Sequence, residues 1–146
     1  FLLVFASLHS LGSHYTYAEM EHFNTITQFF GFERNHFDRL VHFLFGLLMF
    51  RVLFEMIIMT FNSAKAALFF TVTLVLSISS LYELLEWAAV LVVEPELGMA
   101  FLGIQGDIWD AHKDTALAFL GALIHTAFYR NYQRLWQYKR ESKLLD

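Results

Sequence analysis

Four long apolar blocks constrain the fold of this chain more than any other feature of its sequence. They cover about residues 1–14, 40–59, 68–93 and 112–130. A helix needs about 20 apolar residues to cross about 30 Å of hydrocarbon, and the second and third blocks reach that length. No apolar–polar alternation typical of strands competes with this pattern. The sequence therefore predicts an all-α protein, a polytopic transmembrane helical bundle with four spans in one domain, residues 1–146.

The composition agrees with a membrane protein and excludes several other classes. Hydrophobic residues make up 57% of the chain and charged residues 16%, whereas soluble domains average about 45–50% and about 25%. The net charge of −4 argues against nucleic-acid binding. The absence of cysteine excludes a disulfide framework and a thiolate metal site. Because the chain is apolar from residue 1, without a basic segment before it, we expect the bundle to be incomplete at its N-terminus.

Lysine and arginine residues predict the orientation of the bundle. They concentrate in the tail that follows the last span, residues 131–146, so we expect the C-terminus in the cytoplasm. The connections 15–37 and 94–113 then lie on the outer side. The first of these is long for a structureless loop, and its apolar part either lies in the membrane interface or folds back over the bundle.

The polar motifs of the chain converge on the outer half of this bundle. HYTYAE follows span one, RNHFDRLVH opens span two, YELLEW lies in the outer half of span three, and QGDIWDAHKD opens span four. At 1.5 Å per residue, His42, Glu86 and Asp114 lie about 9–11 Å below the outer ends of their helices, and Glu83 lies deeper. Ionisable side chains cost about 2.5–3.5 kcal/mol in hydrocarbon and are functional candidates by default.

The last span carries an acidic face that continues into small residues. Positions 107, 110, 114, 118, 121 and 125 share one side of a helix and read Asp, Asp, Asp, Ala, Gly, His. Asp107 and Asp110 also fit a simpler interpretation as helix-start residues at the surface. Asp114 lies two turns inside and does not. Gly121 and Gly46 suit close packing between helices.

Several polar residues have a structural interpretation beside the functional one. Asp38 fits as a first-turn acid after a capping Asn35, but His42 does not. Glu83 and Glu86 form either a functional site or a hydrogen-bonded cluster between helices.

Two further polar features lie in the inner half. Arg51 and Glu55 have the i, i+4 spacing of an ion pair. His125 either joins a relay toward the inner side or bonds a neighbouring helix.

The residue types indicate acid–base or metal chemistry. The candidate catalytic residues are His42, Glu83, Glu86 and Asp114. The candidate metal ligands are His42, Glu86, Asp110 and Asp114. Histidine and carboxylates without cysteine suit Zn²⁺, Mn²⁺ or Fe if a divalent metal is the cofactor.

The motifs also resemble a known family. HYTYAE, RNHFDRLVHF, LYELLEW and LGIQGDIWDAHKD, followed by a span that contains GAL, are similar in sequence and order to the YjdF-like bacterial inner-membrane proteins. DRLVHF, a later glutamate and Asp114 are more loosely similar to the VanZ family. The resemblance implies a multi-pass protein of the bacterial inner membrane without an established activity. It also implies supporting site residues, which are His14, Glu19, Arg34, Asp38, Gln105 and Asp107.

Three functions are compatible with these patterns. The first is an intramembrane enzyme that uses a metal or an acid–base pair on a lipid-linked substrate. The second is an accessory subunit of a larger membrane complex, with lipids and other subunits as partners. The third is a proton-coupled transporter or channel, which the lack of a span broken by glycine or proline disfavours.

Overall fold

A computed structural model of the chain describes residues 1–15, 17, 20–92 and 107–128, together with positions 133, 134, 137, 138 and 141. Within these residues the elements are helices: α1 Leu2–His14, α2 Glu21–Phe29, α3 Phe37–Leu44, α4 Phe50–Ile57, α5 Ala64–Val90 and α6 Asp110–Thr126. A π-helical segment, Phe45–Met49, joins α3 to α4 and makes Phe37–Ile57 one continuous helix. The predicted all-α class is confirmed.

Two of these helices are long and apolar enough to cross a membrane. They are Phe37–Ile57, with 21 residues, and α5, with 27 residues. The other two predicted spans coincide with α1, which has 13 residues, and α6, which has 17. Each predicted block is therefore helical, while four membrane crossings stay a prediction.

α5 shows how the sequence selects the buried side of a helix. Ser63 caps the first turn, because its hydroxyl accepts a hydrogen bond from the amide of Ala66. The buried residues follow the helical repeat and are Ala64, Ala67, Leu68, Thr71, Val75, Ser79 and Glu86. Phe69 and Leu85 lie on the opposite side and are 66% and 67% exposed. The buried stripe thus changes from apolar at the start of α5 to polar near its end.

Phe37–Ile57 and α6 pack in very close contact through small residues. A Cβ atom on Gly46 would overlap the carbonyl oxygen of Ala118, and a Cβ atom on Gly121 would overlap the carbonyl oxygen of Phe43. Ala122 is also fully buried. The predicted packing role of these glycines is confirmed, since a side chain at either position would push the two backbones apart.

The two helices run parallel through this contact. Asp38 meets Asp110 before it, and Leu47 meets His125 after it, where the carbonyl of Leu47 is bonded to the imidazole Nδ1. α5 runs in the opposite direction, because Ser79 in its second half bonds His42 near the start of Phe37–Ile57.

An apolar core fills one end of the bundle and reaches its middle. It consists of Phe50, Phe54, Ile58, Ala67, Leu68, Val75, Ala118 and Ala122. Apart from Thr71 within this core and Thr27 on α2, the buried polar residues that the structure describes gather at the other end, where Phe37–Ile57 and α6 begin and α5 ends. We call this the site end of the bundle.

The segment between α1 and Phe37–Ile57 covers part of the site end. Met20, just before α2, is 3% exposed and packs with Tyr17, Phe37 and Val41. The last part of the segment does not pack against the bundle in the same way, since Phe29 is 82% exposed. The first half of the segment therefore folds back over the bundle, which is one of the two predicted placements. A position of the second half in the membrane interface stays a prediction.

Candidate functional site

His42 lies at the centre of the site end and joins two helices. Its Nδ1 atom is 3.2 Å from the hydroxyl of Ser79 on α5. Its Nε2 atom is 3.0 Å from Oε1 of Glu83 and 3.7 Å from Oδ1 of Asp38. The contact with Glu83 has the distance of an ion pair without the alignment of a hydrogen bond. Both imidazole nitrogens thus face protein groups, which fixes the ring between the helices.

Three aspartates lie side by side next to this histidine. Carboxylate oxygens of Asp38, Asp110 and Asp114 all lie within 4.8 Å of one another. The three residues are 6%, 5% and 1% exposed, respectively. Among the residues that the structure describes, Oδ1 of Asp38 and Oδ1 of Asp114 are buried and accept no hydrogen bond. Such atoms are unusual in a folded protein, because an unsatisfied buried acceptor costs about 1–3 kcal/mol.

Two arginines hold the third aspartate in place. Nη1 and Nη2 of Arg34 lie 2.7 and 2.9 Å from the two carboxylate oxygens of Asp110. Nη2 of Arg39 lies 2.9 Å from the same carboxylate. The forked contact of Arg34 is the geometry in which guanidinium binds a carboxylate most strongly. Asp110 therefore starts α6 as predicted, but it is buried under two guanidinium groups and not at the surface.

Asp107 extends this ion network toward the solvent. Its Oδ2 atom lies 2.5 Å from both Arg39 Nη2 and Lys113 Nζ. Its Oδ1 atom accepts a hydrogen bond from the amide of Trp109 just before α6, in agreement with the predicted helix-start role. The hydrogen bonds from Lys113 and the Trp109 amide hold the pKa of the Asp107 carboxyl well below its usual range. Asp107 is therefore an ionised anchor for the start of α6.

His36 supports the same network in its neutral form. Burial and the nearby guanidinium groups of Arg39 and Arg34 lower the pKa of the His36 imidazole. Its Nδ1 atom lies 3.3 Å from Nη1 of Arg39 and can accept a hydrogen bond from it. This places Arg39 between His36 and the two aspartates that it binds.

Asn35 sets the start of Phe37–Ile57. Its side-chain oxygen accepts a hydrogen bond of 2.8 Å from the amide of Phe37. Its amide nitrogen donates to the side chain of Asn24 at 3.1 Å. The cap position of this helix is His36, which makes no side-chain capping bond, so the predicted cap at Asn35 lies one residue too early. Asp38 lies in the first turn, as predicted.

Glu83 meets His42, although the predicted depths had matched His42 with Glu86. The reason is the position of α5 along its own axis: Ser79 lies level with His42, so the residue one turn further, Glu83, lies beside the imidazole. Glu86 is 6% exposed and lies about 4.5 Å further along the helix. It neighbours Tyr82 and stays a predicted catalytic residue without an assigned contact to His42.

A second polar group lies on α1 and reaches the same region. The hydroxyl of Tyr17 is 2.7 Å from Nδ1 of His9. The ring of His9 contacts that of Tyr82, with centroids 5.6 Å apart. Tyr17 has a φ angle of +45°, which is rare for a bulky residue and costs about 1–3 kcal/mol. The strained backbone thus turns the Tyr17 side chain inward, and burial raises the pKa of its hydroxyl.

The remaining predicted residues are distributed as follows. His14 is exposed at the end of α1 and stacks edge-on against Tyr15, outside the polar cluster. Glu19 and Gln105 lie outside the described residues. The predicted ion pair of Arg51 and Glu55 is confirmed, with 2.6 Å between Nε and Oε1.

Five residues of the site were missed by the sequence reasoning: His9, His36, Arg39, Ser79 and Tyr82. Ser79 could have been found, because it lies four residues before Glu83 and seven before Glu86 on the buried stripe of α5. Arg39 follows Asp38 directly and was read only as part of a motif. His9 lies within an apolar block and gives no pattern of its own.

Comparison with known proteins places this arrangement in a family. Residues 1–134 match the family described as Predicted membrane protein (DUF2238). The chain belongs to this family. Helices α1 to α6 of the DUF2238 chain lie within the matched residues, so the polar cluster at the site end is part of the family domain.

One similar protein is the inner membrane protein YjdF of Escherichia coli (strain K12). It is 37% identical over 120 residues, which cover 81% of this DUF2238 chain and 57% of the relative. The chain thus spans a little over half the length of this curated relative. No solved structure matches the chain. The predicted YjdF-like family is confirmed, and the likeness to the VanZ family stays a prediction.

Proposed function

We propose that this chain is a divalent-cation-dependent membrane enzyme that acts on the polar head of a lipid-linked substrate. In this proposal Asp38, Asp110 and Asp114 hold the cation at the site end. The observation that carries it is the pair of buried carboxylate oxygens, Oδ1 of Asp38 and Oδ1 of Asp114, that accept no hydrogen bond next to a third carboxylate.

The charge of the site supports a cation. Six described carboxylates meet there: Asp38, Glu83, Glu86, Asp107, Asp110 and Asp114. In the part of the chain that the structure describes, three side chains with a permanent positive charge face them, namely Arg34, Arg39 and Lys113. Because uncompensated charge is costly in a bundle of this kind, a divalent cation would stabilise the cluster by offsetting the excess.

The ligand chemistry narrows the choice of cation. All three proposed ligands supply carboxylate oxygen, which Mg²⁺ and Mn²⁺ prefer over softer donors. His42, which was a predicted ligand, has both nitrogens facing protein groups. We therefore assign it as a positioning residue that keeps Asp38 and Glu83 in place, as partners of ligating carboxylates commonly do.

The arginines complete the proposed site. Arg34 and Arg39 bond Asp110 from the side of the connection before α6, which fixes one ligand while Asp38 and Asp114 keep free oxygens. A cation bound there would supply a Lewis acid that polarises a phosphoryl or carbonyl oxygen of the substrate.

Location and orientation are part of the same proposal. The relative is named an inner membrane protein, and we propose the same membrane for this chain. The basic tail supports a cytoplasmic C-terminus, which places the site end on the outer side.

The test is the metal content of the purified protein. After equilibration with Mn²⁺ and removal of free ion, elemental analysis should find about one Mn²⁺ per chain in the wild type. Asp114→Asn and Asp38→Asn should each lose it, whereas Glu33→Gln, which removes an exposed carboxylate, should keep it. Wild-type protein that is folded and contains no stoichiometric Mn²⁺ overturns the proposal.

An accessory role in a larger assembly is the second candidate. It is supported by the surface of α5. In the most apolar stretch of this helix, only 22% of the residues are buried inside the protein. In that role the polar cluster only holds the helices together, so the wild type would bind no cation and Asp114→Asn would affect stability alone. The same elemental analysis therefore separates the two candidates. Proton-coupled transport has no comparable observation in its favour.

A further inference from the structure

A cavity of about 190 Å³ lies beside the polar cluster. Its floor is formed by the buried residues Asp38, Val41 and His42. The cavity therefore shares Asp38 with the proposed cation site and His42 with the residues that position it.

The walls of the cavity are apolar along most of their length. Phe5 of α1, Phe45 of the π segment and Ile78 of α5 line it. The rings of Phe5 and Phe45 are in contact, with centroids 5.4 Å apart. The polar groups of the lining include two bonded pairs, Ser79 with His42 and Tyr17 with His9. The charged group, Asp38, lies on the side of the first pair, so the cavity has an apolar body and a carboxylate near one end.

The cavity has its mouth between α1 and α5. α1 packs against Phe37–Ile57, and its ring contact with α5 is that of His9 with Tyr82. Phe5, His9, Ile78 and Tyr82 are all partly exposed, in contrast to the buried floor. The opening thus presents two apolar side chains, Phe5 and Ile78, beside the imidazole of His9 and the ring of Tyr82.

We propose that this cavity receives the hydrocarbon next to the polar head of a single-chain amphiphile, which enters sideways from the membrane with its head toward Asp38 and His42. The inference rests on the proposed function, whose substrate class it specifies. Two hydrocarbon chains do not fit side by side in this cavity. A cavity of about 150 Å³ is filled by one small ring such as benzene, and the volume here, about 190 Å³, is only slightly larger.

The polarity of the walls gives the orientation of the amphiphile. Its chain can bury apolar surface against Phe5, Phe45 and Ile78, which stabilises the complex in proportion to the area removed from polar surroundings. Its head can reach the only described carboxylate of the cavity lining, Asp38. An anionic head such as a phosphate would be attracted there only when a cation is bound to the aspartates, which links the two sites.

Photolabelling tests this proposal directly. The full chain is reconstituted in nanodiscs of phosphatidylcholine with Mn²⁺, and the probe is dodecyl phosphate with a diazirine near its head. Labelled positions, mapped by mass spectrometry, should include Phe5, Phe45 or Ile78. Ile78→Phe and Phe5→Trp each narrow the cavity from a different wall and should lower this labelling about tenfold. Leu85→Phe, which adds the same bulk on the exposed side of α5, should leave it unchanged.

The other possible labelling results distinguish the cavity, the class of amphiphile and the cation site. Equal labelling in the wild type and both narrowed variants overturns the cavity as the binding site. Equal labelling by a phosphatidylcholine with the diazirine in its chain overturns the single-chain class. Metal content is measured on the same samples: Mn²⁺ present with no cavity labelling rejects this inference alone. Labelling of the cavity in protein without Mn²⁺ rejects the proposed function alone.

Discussion

Gly46 and Ala118 cross at a distance that leaves no room for a side chain, because a Cβ atom on Gly46 would overlap the Ala118 carbonyl oxygen. Asp38 and Asp110 each lie eight residues before this crossing on parallel helices. The crossing therefore fixes the distance between the two helices that carry the three aspartates. Small residues in the apolar half of the bundle thus determine the geometry of its polar half.

Substitution of Gly46 by alanine should disturb both halves. Overpacking of this kind costs about 1–3 kcal/mol, and the helices must separate to accept the methyl group. We expect Gly46→Ala and Gly121→Ala each to lower the free energy of unfolding in detergent and to weaken Mn²⁺ binding. Ala116→Leu adds more bulk on the exposed side of α6 and should change neither. Alanine variants as stable as the wild type would contradict the close crossing.

The ion pair of Arg34 with Asp110 and that of Arg51 with Glu55 should contribute differently to the free energy of unfolding. Arg34 and Asp110 have side chains only 10% and 7% exposed. Arg34→Gln should therefore cost about 1–3 kcal/mol, because the buried carboxylate loses its forked partner and keeps only Arg39. Arg51 and Glu55 are 33% and 40% exposed, and Arg51→Gln should cost about 0–1 kcal/mol. Chemical unfolding of both variants measures the difference.

A double variant tests whether the Arg34 effect arises from its partner. Arg34→Gln combined with Asp110→Asn should be more stable than the sum of the two single losses predicts, because no uncompensated charge is left. Additive losses would show that Arg34 acts through other groups.

His42 should affect cation affinity without removing the cation site. His42→Ala removes the contacts to Ser79 and Glu83 and should lower Mn²⁺ affinity about 10–100-fold, as substitutions beside ligands typically do. Saturating Mn²⁺ should still give the wild-type stoichiometry, measured by isothermal titration. His112→Ala, at an exposed position, is the control. Complete loss of binding in His42→Ala, as in Asp114→Asn, would return His42 to the ligand set.

Asp107 gives the pH dependence of the ion network a definite sign. Its pKa is lowered in the folded protein by Lys113 and the Trp109 amide, so its contribution to stability is present above the unfolded pKa of about 3.9 and lost as the pH falls below it. The difference in melting temperature between wild type and Asp107→Asn should stay constant from about pH 7 to pH 5 and shrink as the pH falls below about 3.9. A difference that does not change below that pH would contradict the lowered pKa.

Much of the fold could be predicted because apolar length and helical periodicity are local properties of the sequence. The four blocks mark α1, Phe37–Ile57, α5 and α6 within a few residues. The acidic face of α6 was also predicted, and Asp110, Asp114, Ala118 and Gly121 are buried. Helical geometry alone brings these residues to one side.

The composition of the site was harder to predict, because it depends on how helices are displaced along one another. A shift of one turn, about 5.4 Å, decides whether His42 meets Glu83 or Glu86. Depth counted from helix ends has an error of that size, since the ends themselves are uncertain. The role of Asp110 depended on Arg34, which lies 76 residues earlier, and no local pattern encodes that contact.

An anomalous difference map of crystals soaked in Mn²⁺ would show the cation site itself. We expect a single peak within about 2.0–2.6 Å of one carboxylate oxygen from each of Asp38, Asp110 and Asp114, and no such peak in Asp114→Asn. A map with well-ordered aspartates and no peak among them at saturating Mn²⁺ would contradict this expectation.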